Sequence, residues 1–454
     1  MKKASRPTII LPIETKVREF HGKLYFAYMA ARCRYQVYIG EQGRMWKYAN
    51  LFPQGTYIDK SIASTRVNWF EQLKESGHKI VSWDEEGLLF FSSEMYKKLR
   101  LDEKALRMVE HFFCWGDVQR QVVASYHPEF SEKLHICGNP RFDLLRTDRR
   151  QIYSDAAARL RARYGKIILI NTNFAFCNHF RTEEELHAML QAYPLASEPG
   201  YIDGWIAYQR QGFAAFCHIV PEIAGRYPEH TIIVRPHPSE NHGAWREIAK
   251  SSPNIEVNAE GNVHEWIMTS DVLLHDNCTT AVEAYILGVP AISYRQGQNP
   301  KYENALPKAL SYRVEEQQEL YEVLDLAIDK DEELYGRIWN QERQTILEKY
   351  VSGMTGRTSV EAMLVRMADT VRSAGQQIPL SKKIENKAKI SWRKVLHRYR
   401  DYRNPPDGYS LQKFPGISQE EITQTLVELD RVLGFSTAFA VKKVVKDIYL
   451  ILAN

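Results

Sequence analysis

Apolar residues fall along this chain in short unbroken blocks, separated by longer stretches where they recur every three or four positions. Thr8 to Pro12 is the first block, and Val17 to Arg32 follows with Phe20, Leu24, Ala27, Tyr28 and Ala31 at helical spacing. Tyr35 to Ile39 is rich in β-formers. His78 to Ser82, His111 to Trp115 and Leu134 to Cys137 are further strand candidates, with helix-like stretches between them. Alternation of this kind predicts a parallel sheet covered by helices on both faces.

Gly138-Asn139-Pro140-Arg141-Phe142-Asp143 interrupts the pattern with turn residues, and an Ala/Arg-rich helical segment, Ser154 to Tyr164, follows. A second series begins at Lys166 to Ile170. It continues through a long helical stretch at Asp203 to Arg226 and strands at Thr231 to Val234, Ile255 to Val257, Val272 to Leu274 and Ala291 to Tyr294. The pattern therefore predicts an α/β protein with two doubly wound, Rossmann-like domains, 1–150 and 151–370. A C-terminal extension, 371–454, completes it. There Ser418-Gln419-Glu420-Glu421 matches a capping box opening a helix through Leu433. The amphipathic stretch from Phe435 to Leu452 is expected to be helical as well.

Composition narrows the class. With 454 residues, 44% hydrophobic and 26% charged, the chain reads as globular and too long for one core. Its six cysteines are scattered singly, without zinc spacing, which suits a reducing compartment. The apolar run near the N-terminus is too short for a secretory signal, and no stretch reaches the ~18–20 apolar residues of a membrane span. A cytoplasmic location is expected, with attachment to the membrane face as an option. The net charge of +4 conceals nine Lys/Arg against two acids between residues 381 and 403. The body of the chain is not basic, which argues against a general nucleic-acid binder.

Three short motifs sit just past strand candidates, where open α/β sheets gather ligands. Asp84-Glu85-Glu86-Gly87 clusters carboxylates at a strand end. In isolation it would read as a solvated acidic turn, but crowding raises carboxylate pKa and makes one of them a candidate general base. Arg235-Pro236-His237-Pro238 holds an imidazole in a stiff loop, able to donate to a phosphate oxygen. Thr279-Thr280 opens a probable helix, where hydroxyls and backbone N–H groups favour an anion, although helix capping alone would explain one of them. Glu283, one turn on, is in reach of a ribose or sugar hydroxyl. Thr172 and Asn173, after the first strand of the second series, are candidate donor contacts. Glu14, Lys16 and Arg18, with Asp84 and Glu86, are weaker candidates for an acceptor.

The order of an acidic motif ending in Gly87, the His237-Pro238 pair and the Thr279-Thr280 pair resembles bacterial sialyltransferases and polysialyltransferases. More narrowly, Leu11 to Glu19, Gly138 to Asp143 and Arg235 to Pro238 resemble bacterial surface carbohydrate (capsule and lipopolysaccharide) biosynthesis proteins. The resemblance implies a GT-B fold, two such domains facing across a cleft. It implies metal-independent, inverting transfer of an acidic sugar (Kdo-like or nonulosonic) from a CMP donor to a glycan acceptor. Neither a cofactor nor a metal is expected. In that pattern Glu85 is the base, His237 serves the leaving phosphate, and Thr279 and Thr280 hold it, with Arg235 beside them. Thr-Thr replaces the usual serine, and the extra acid Asp84 leaves the base open among three residues. Gly138 to Arg141 and the His-Pro pair also resemble CDP-glycerol glycerophosphotransferases. A UDP-GlcNAc 2-epimerase-like enzyme and an inactive assembly scaffold are further alternatives. A lipid-linked acceptor would give the basic segment 382–403 a role at an anionic inner-membrane surface.

Overall fold

A computed structural model of the protein describes residues 6–48, 52–191, 198–374 and 413–454. The chain forms two compact units. The first comprises Met1–Leu88, Arg100–Leu144 and Val351–Asn454; the second comprises Leu89–Leu99 and Leu145–Tyr350. In this grouping the described residues after Tyr350 belong to the first unit.

The first unit is built on an eight-stranded sheet of order β13-β14-β2-β1-β3-β4-β5-β6. Its parallel part is β1 (Thr8–Ile13), β2 (Gln36–Glu41), β3 (Thr56–Asp59), β4 (Lys79–Trp83), β5 (His111–Cys114) and β6 (Leu134–Ile136). Every residue of β1 is buried, as an unbroken apolar run requires when both sheet faces are covered. The sheet's order reverses at β1 and β3, so their C-terminal ends flank a topological switch point.

The Gly138–Asp143 motif anchors the returning chain. Gly138 has φ +88, and a Cβ there would lie 2.2 Å from the Ser352 carbonyl oxygen. The buried Asp143 carboxylate accepts from the backbone N–H groups of Ser359 (2.8 Å) and Val360 (3.0 Å), capping the Ser359–Ser373 helix. The motif is thus part of the scaffold.

The extension holds the expected helix at Gln419–Leu433, capped by Ser418. It packs on the Lys16–Arg32 helix, where Tyr28 donates to Asp430 at 2.5 Å. The stretch after it is not helical. It forms an antiparallel hairpin, β13 (Phe439–Val445) and β14 (Ile448–Ala453), and β14 pairs antiparallel with β2. Val441, Val444, Val445, Ile448 and Ile451 favour a pleated surface. Asp447 makes the turn at φ 58 while its carboxylate accepts from Ile417 N–H at 3.1 Å.

The second unit has a wholly parallel six-stranded sheet, β12-β11-β10-β7-β8-β9. The strands are β7 (Lys166–Asn171), β8 (His230–Arg235), β9 (Ile255–Val257), β10 (Val272–His275), β11 (Ala291–Tyr294) and β12 (Tyr312–Val314). Here the switch point lies between β7 and β10. Among the described residues no helix is long and apolar enough to cross a membrane. The basic segment 382–403 lies outside the described residues.

Candidate functional site

In the first unit the three carboxylates after β4 point to three different cations. Asp84 is fully buried, 2.5 Å from an Arg100 nitrogen, and its carbonyl accepts from Trp115 Nε1 at 2.6 Å. Glu85, also buried, accepts from Trp83 Nε1 (2.7 Å) and Asn139 Nδ2 (3.5 Å), with Lys23 Nζ at 3.4 Å. Glu86 is exposed and pairs with Arg18 at 2.6 Å. For Glu86 the expected upward shift of the pKa is corrected by this arrangement. Desolvation pushes Glu86 up, but Arg18, Arg100 and Lys60 outweigh it and hold the carboxyl below its usual range. Asp84 serves the scaffold, by burial and by its bond to Arg100.

The weaker acceptor candidates separate similarly. Glu14, Arg18 and Glu86 stay at the C-terminal ends of β1 and β4, where Glu14 pairs with Lys60. Burial pulls the Lys60 amine down to about 8. Lys16 turns instead to the tail helix, 2.8 Å from Glu421. Lys23 was missed by the sequence reading. It is buried, 2.7 Å from Glu19, and donates to the Pro12 carbonyl at 2.6 Å. The available signal was a Glu–Lys pair four residues apart within an otherwise apolar helix.

In the second unit the His237 loop is pinned from below by Glu240. This buried carboxylate accepts from His237 N–H (3.0 Å), Thr172 Oγ1 (2.7 Å), Asn178 Nδ2 (3.4 Å) and Trp245 Nε1 (3.0 Å), and burial pushes its pKa up. Thr172, expected as a donor contact, is buried with its hydroxyl on Glu240. Asn173 follows it in the same loop, half-buried. His237 itself is exposed, and its Nδ1 accepts from Ser239 N–H at 3.2 Å. A neutral ring so engaged carries its proton on Nε2, the nitrogen it can offer to a phosphate.

Arg235 is corrected as well. Its guanidinium donates to the carbonyls of Asn258 (2.9 Å), Ala259 (3.3 Å), Glu260 (2.7 Å) and Gly261 (3.2 Å) and lies over Trp266. Burial lowers its pKa to about 9. It shapes the 258–261 loop and is not placed to bind phosphate.

After β10 the chain turns sharply at Asn277, φ 50, whose side chain accepts from Asn304 N–H at 2.9 Å. The helix Thr280–Leu287 then begins. Thr279 stands at its N-cap with helical backbone angles and, among the described residues, no capping bond from its side chain. Capping therefore does not account for its hydroxyl. The helix N-terminus lies at the β7/β10 switch point, where unpaired backbone N–H groups favour an anion. Glu283, one turn in, is buried with Oε1 3.5 Å from His264 Nε2.

Asp276 lies beneath this turn, paired with Arg295 at 2.8 Å. Burial raises its pKa to about 6 despite that partner. A folded-state pKa above the unfolded value means that its contribution to stability is full below about pH 4 and lost as pH rises through about 6. Thermal unfolding across pH 4 to 7 should show this downward slope in the wild type, and Asp276→Asn should flatten it. An unchanged slope in the variant would place the titration elsewhere.

No protein-family model matches the chain, and no curated protein matches its sequence. Among solved structures it is similar to a His-to-Asn variant of the wall teichoic acid polymerase TagF. The TM-score is 0.52 at 12% identity, covering 82% of this chain and 90% of that one. The same variant with CDPG gives 0.50 at 11%, covering 81% and 88%. A UDP-GlcNAc 2-epimerase from Methanocaldococcus jannaschii gives 0.49 at 14%, covering 81% and 100%. At these identities the likeness is one of fold, and the TagF structures place this mixed α/β chain, with its two parallel-rich sheets, in the GT-B class.

Proposed function

We propose that this protein is a GT-B glycosyltransferase that moves an acidic, Kdo-like or nonulosonic sugar from a CMP donor to a surface-polysaccharide acceptor. The observation that carries the nucleotide half is the Thr279–Thr280 turn. It is a helix N-terminus at a topological switch point whose leading hydroxyl is not used for capping. There the donor phosphate would meet N–H groups and both threonines, with His237 donating from Nε2 and Glu283 within reach of a hydroxyl of the donor.

In the first unit Glu85 is the proposed base. Its buried carboxylate accepts from the side chains of Trp83 and Asn139 and lies beside Lys23, whereas Asp84 and Glu86 each pair with an arginine. Chemically, the acceptor hydroxyl loses its proton to the carboxylate and its oxygen attacks the anomeric carbon. The carbon–oxygen bond to phosphate breaks, and CMP leaves with the electron pair. Stabilising that leaving anion is the larger demand on the protein.

The test is a product-resolved assay of the full chain with a CMP-linked 2-keto-3-deoxy sugar and an oligosaccharide acceptor. A new glycosidic bond with stoichiometric CMP supports the reading; donor intact after prolonged incubation contradicts it. Glycerophosphate transfer is the second reading, favoured by the fold likeness to TagF carrying CDPG. It would give CMP release from CDP-glycerol instead. Formation of UDP-N-acetylmannosamine, the C2 epimer, from UDP-GlcNAc without acceptor would mark the epimerase alternative.

A peripheral location on the inner membrane is proposed from the basic, aromatic-containing segment 382–403. Binding of the protein to anionic vesicles should weaken with added salt and with Lys/Arg→Gln changes in that segment. Salt-independent binding, or none, would remove the proposal.

A further inference from the structure

The second unit buries two polar side chains that none of the arguments above uses. Asn171, the last residue of β7, is 3% exposed, and neither Oδ1 nor Nδ2 has a hydrogen-bond partner among the described residues. His264, near the start of the Val263–Thr269 helix, is 1% exposed, and neither ring nitrogen has one. Folds rarely bury amides and imidazoles in this state unless a ligand or an ordered water completes them.

The two groups share one face of the sheet and one end of it. Asn171 is in register with Arg235 of β8 and His275 of β10. Registered residues of a parallel ladder project to the same face. On that face Arg235 runs to Trp266 of the His264 helix, and His275 accepts from Cys278 N–H at 3.4 Å, in the turn before the Thr280 helix. Asn171 therefore rises between them, beneath the paired Val263–Thr269 and Thr280–Leu287 helices, which pack on each other and on β7 and β10. His264 and Glu283 meet at the 3.5 Å contact already described, one from each helix. All of these groups lie at the C-terminal end of the strands, beside the Thr279–Thr280 turn.

The charged members of the set, Glu283 and Arg235, stand beside an amide and an imidazole that the protein leaves without hydrogen bonds among the described residues. The amide supplies two donors and an acceptor, the imidazole one of each, and the guanidinium of Arg235 is engaged by four carbonyls. Such a lining complements hydroxyls and ring nitrogens rather than phosphate. We infer that Asn171 and His264 are specificity-determining residues that receive the uncharged nucleoside part of the ligand, while the Thr279–Thr280 turn takes its phosphate. The inference rests on the proposed nucleotide reading.

Calorimetric titration of CMP into the full-length wild type, Asn171→Leu and His264→Phe tests it. Leucine keeps the branched shape of asparagine with methyl groups in place of its polar atoms, and phenylalanine keeps the ring contact with Tyr153, at 5.1 Å between centroids. Both variants should bind CMP about 10-fold more weakly or worse, the scale of one lost buried hydrogen bond. Their ligand-free Tm should stay level or rise, because neither side chain makes a hydrogen bond within the protein among the described residues. A structural role would move the opposite way, lowering Tm and leaving affinity unchanged, and that result overturns the inference. Unchanged affinity at unchanged Tm overturns it too, assigning the site to water. If the wild type binds none of CMP, CDP, UDP or GDP, the nucleotide reading falls and this inference with it. Retained binding in both variants removes the inference alone. Should Asn171→Leu fail to fold, Asn171→Ala makes the same comparison.

Discussion

His237→Ala, and separately the paired Thr279→Ala/Thr280→Ala variant, should fold like the wild type and lose sugar transfer by roughly 100-fold or more, the usual scale for removing a donor aimed at a developing anion. The structure gives grounds for expecting intact folds. His237 is exposed, with Nδ1 accepting from the neighbouring Ser239 N–H, and Thr279 contributes no cap to its helix among the described residues. Losses should fall on kcat, since the interaction grows as charge develops on the leaving phosphate. Activity within a few-fold of wild type would remove these residues from the chemistry. Loss of the thermal transition would make them structural.

Glu240→Ala should act quite differently, lowering stability by about 2–4 kcal/mol and activity together. The carboxylate is the shared acceptor for His237 N–H, Thr172, Asn178 and Trp245, and its removal strands several buried donors at once. Because one of those donors is the backbone of the His237 loop, the imidazole should lose its fixed direction before the unit unfolds. Denaturant melts paired with steady-state kinetics separate the two effects. Glu240→Gln, which keeps an acceptor oxygen in place, should retain more of both. A Glu240→Ala variant as stable as wild type would mean that the loop is held by its prolines and local turns.

How much of this was legible in the sequence depended on the range of the interaction. β1, β7 and β8 could be read because continuous apolar runs have no other home than a sheet covered on both faces. β3 and β12 were missed. The terminal hairpin was misread because an amphipathic stretch can be counted at either period, and its partner, β2, lies some 400 residues earlier in the chain. Arg235 shows the same limit at a site. A strand-end arginine beside a His-Pro pair looks like a phosphate ligand, and only the fold reveals the carbonyls of residues 258–261 around it. Glu240 was the opposite case, three residues from His237 and visible as an acid after two prolines, but its partners Thr172 and Trp245 come from other elements.

The central claim is that the Thr279–Thr280 turn of the second unit holds the phosphate of a cytidine nucleotide. Thermal melts of the wild type and of Thr279→Ala/Thr280→Ala with CMP, CDP, UDP and GDP test it most directly, because a bound ligand raises Tm by mass action. The account predicts a concentration-dependent rise with the cytidine nucleotides, smaller or absent with UDP and GDP, and largely abolished in the double variant. Equal shifts in wild type and variant, or no shift with any of the four, would contradict it.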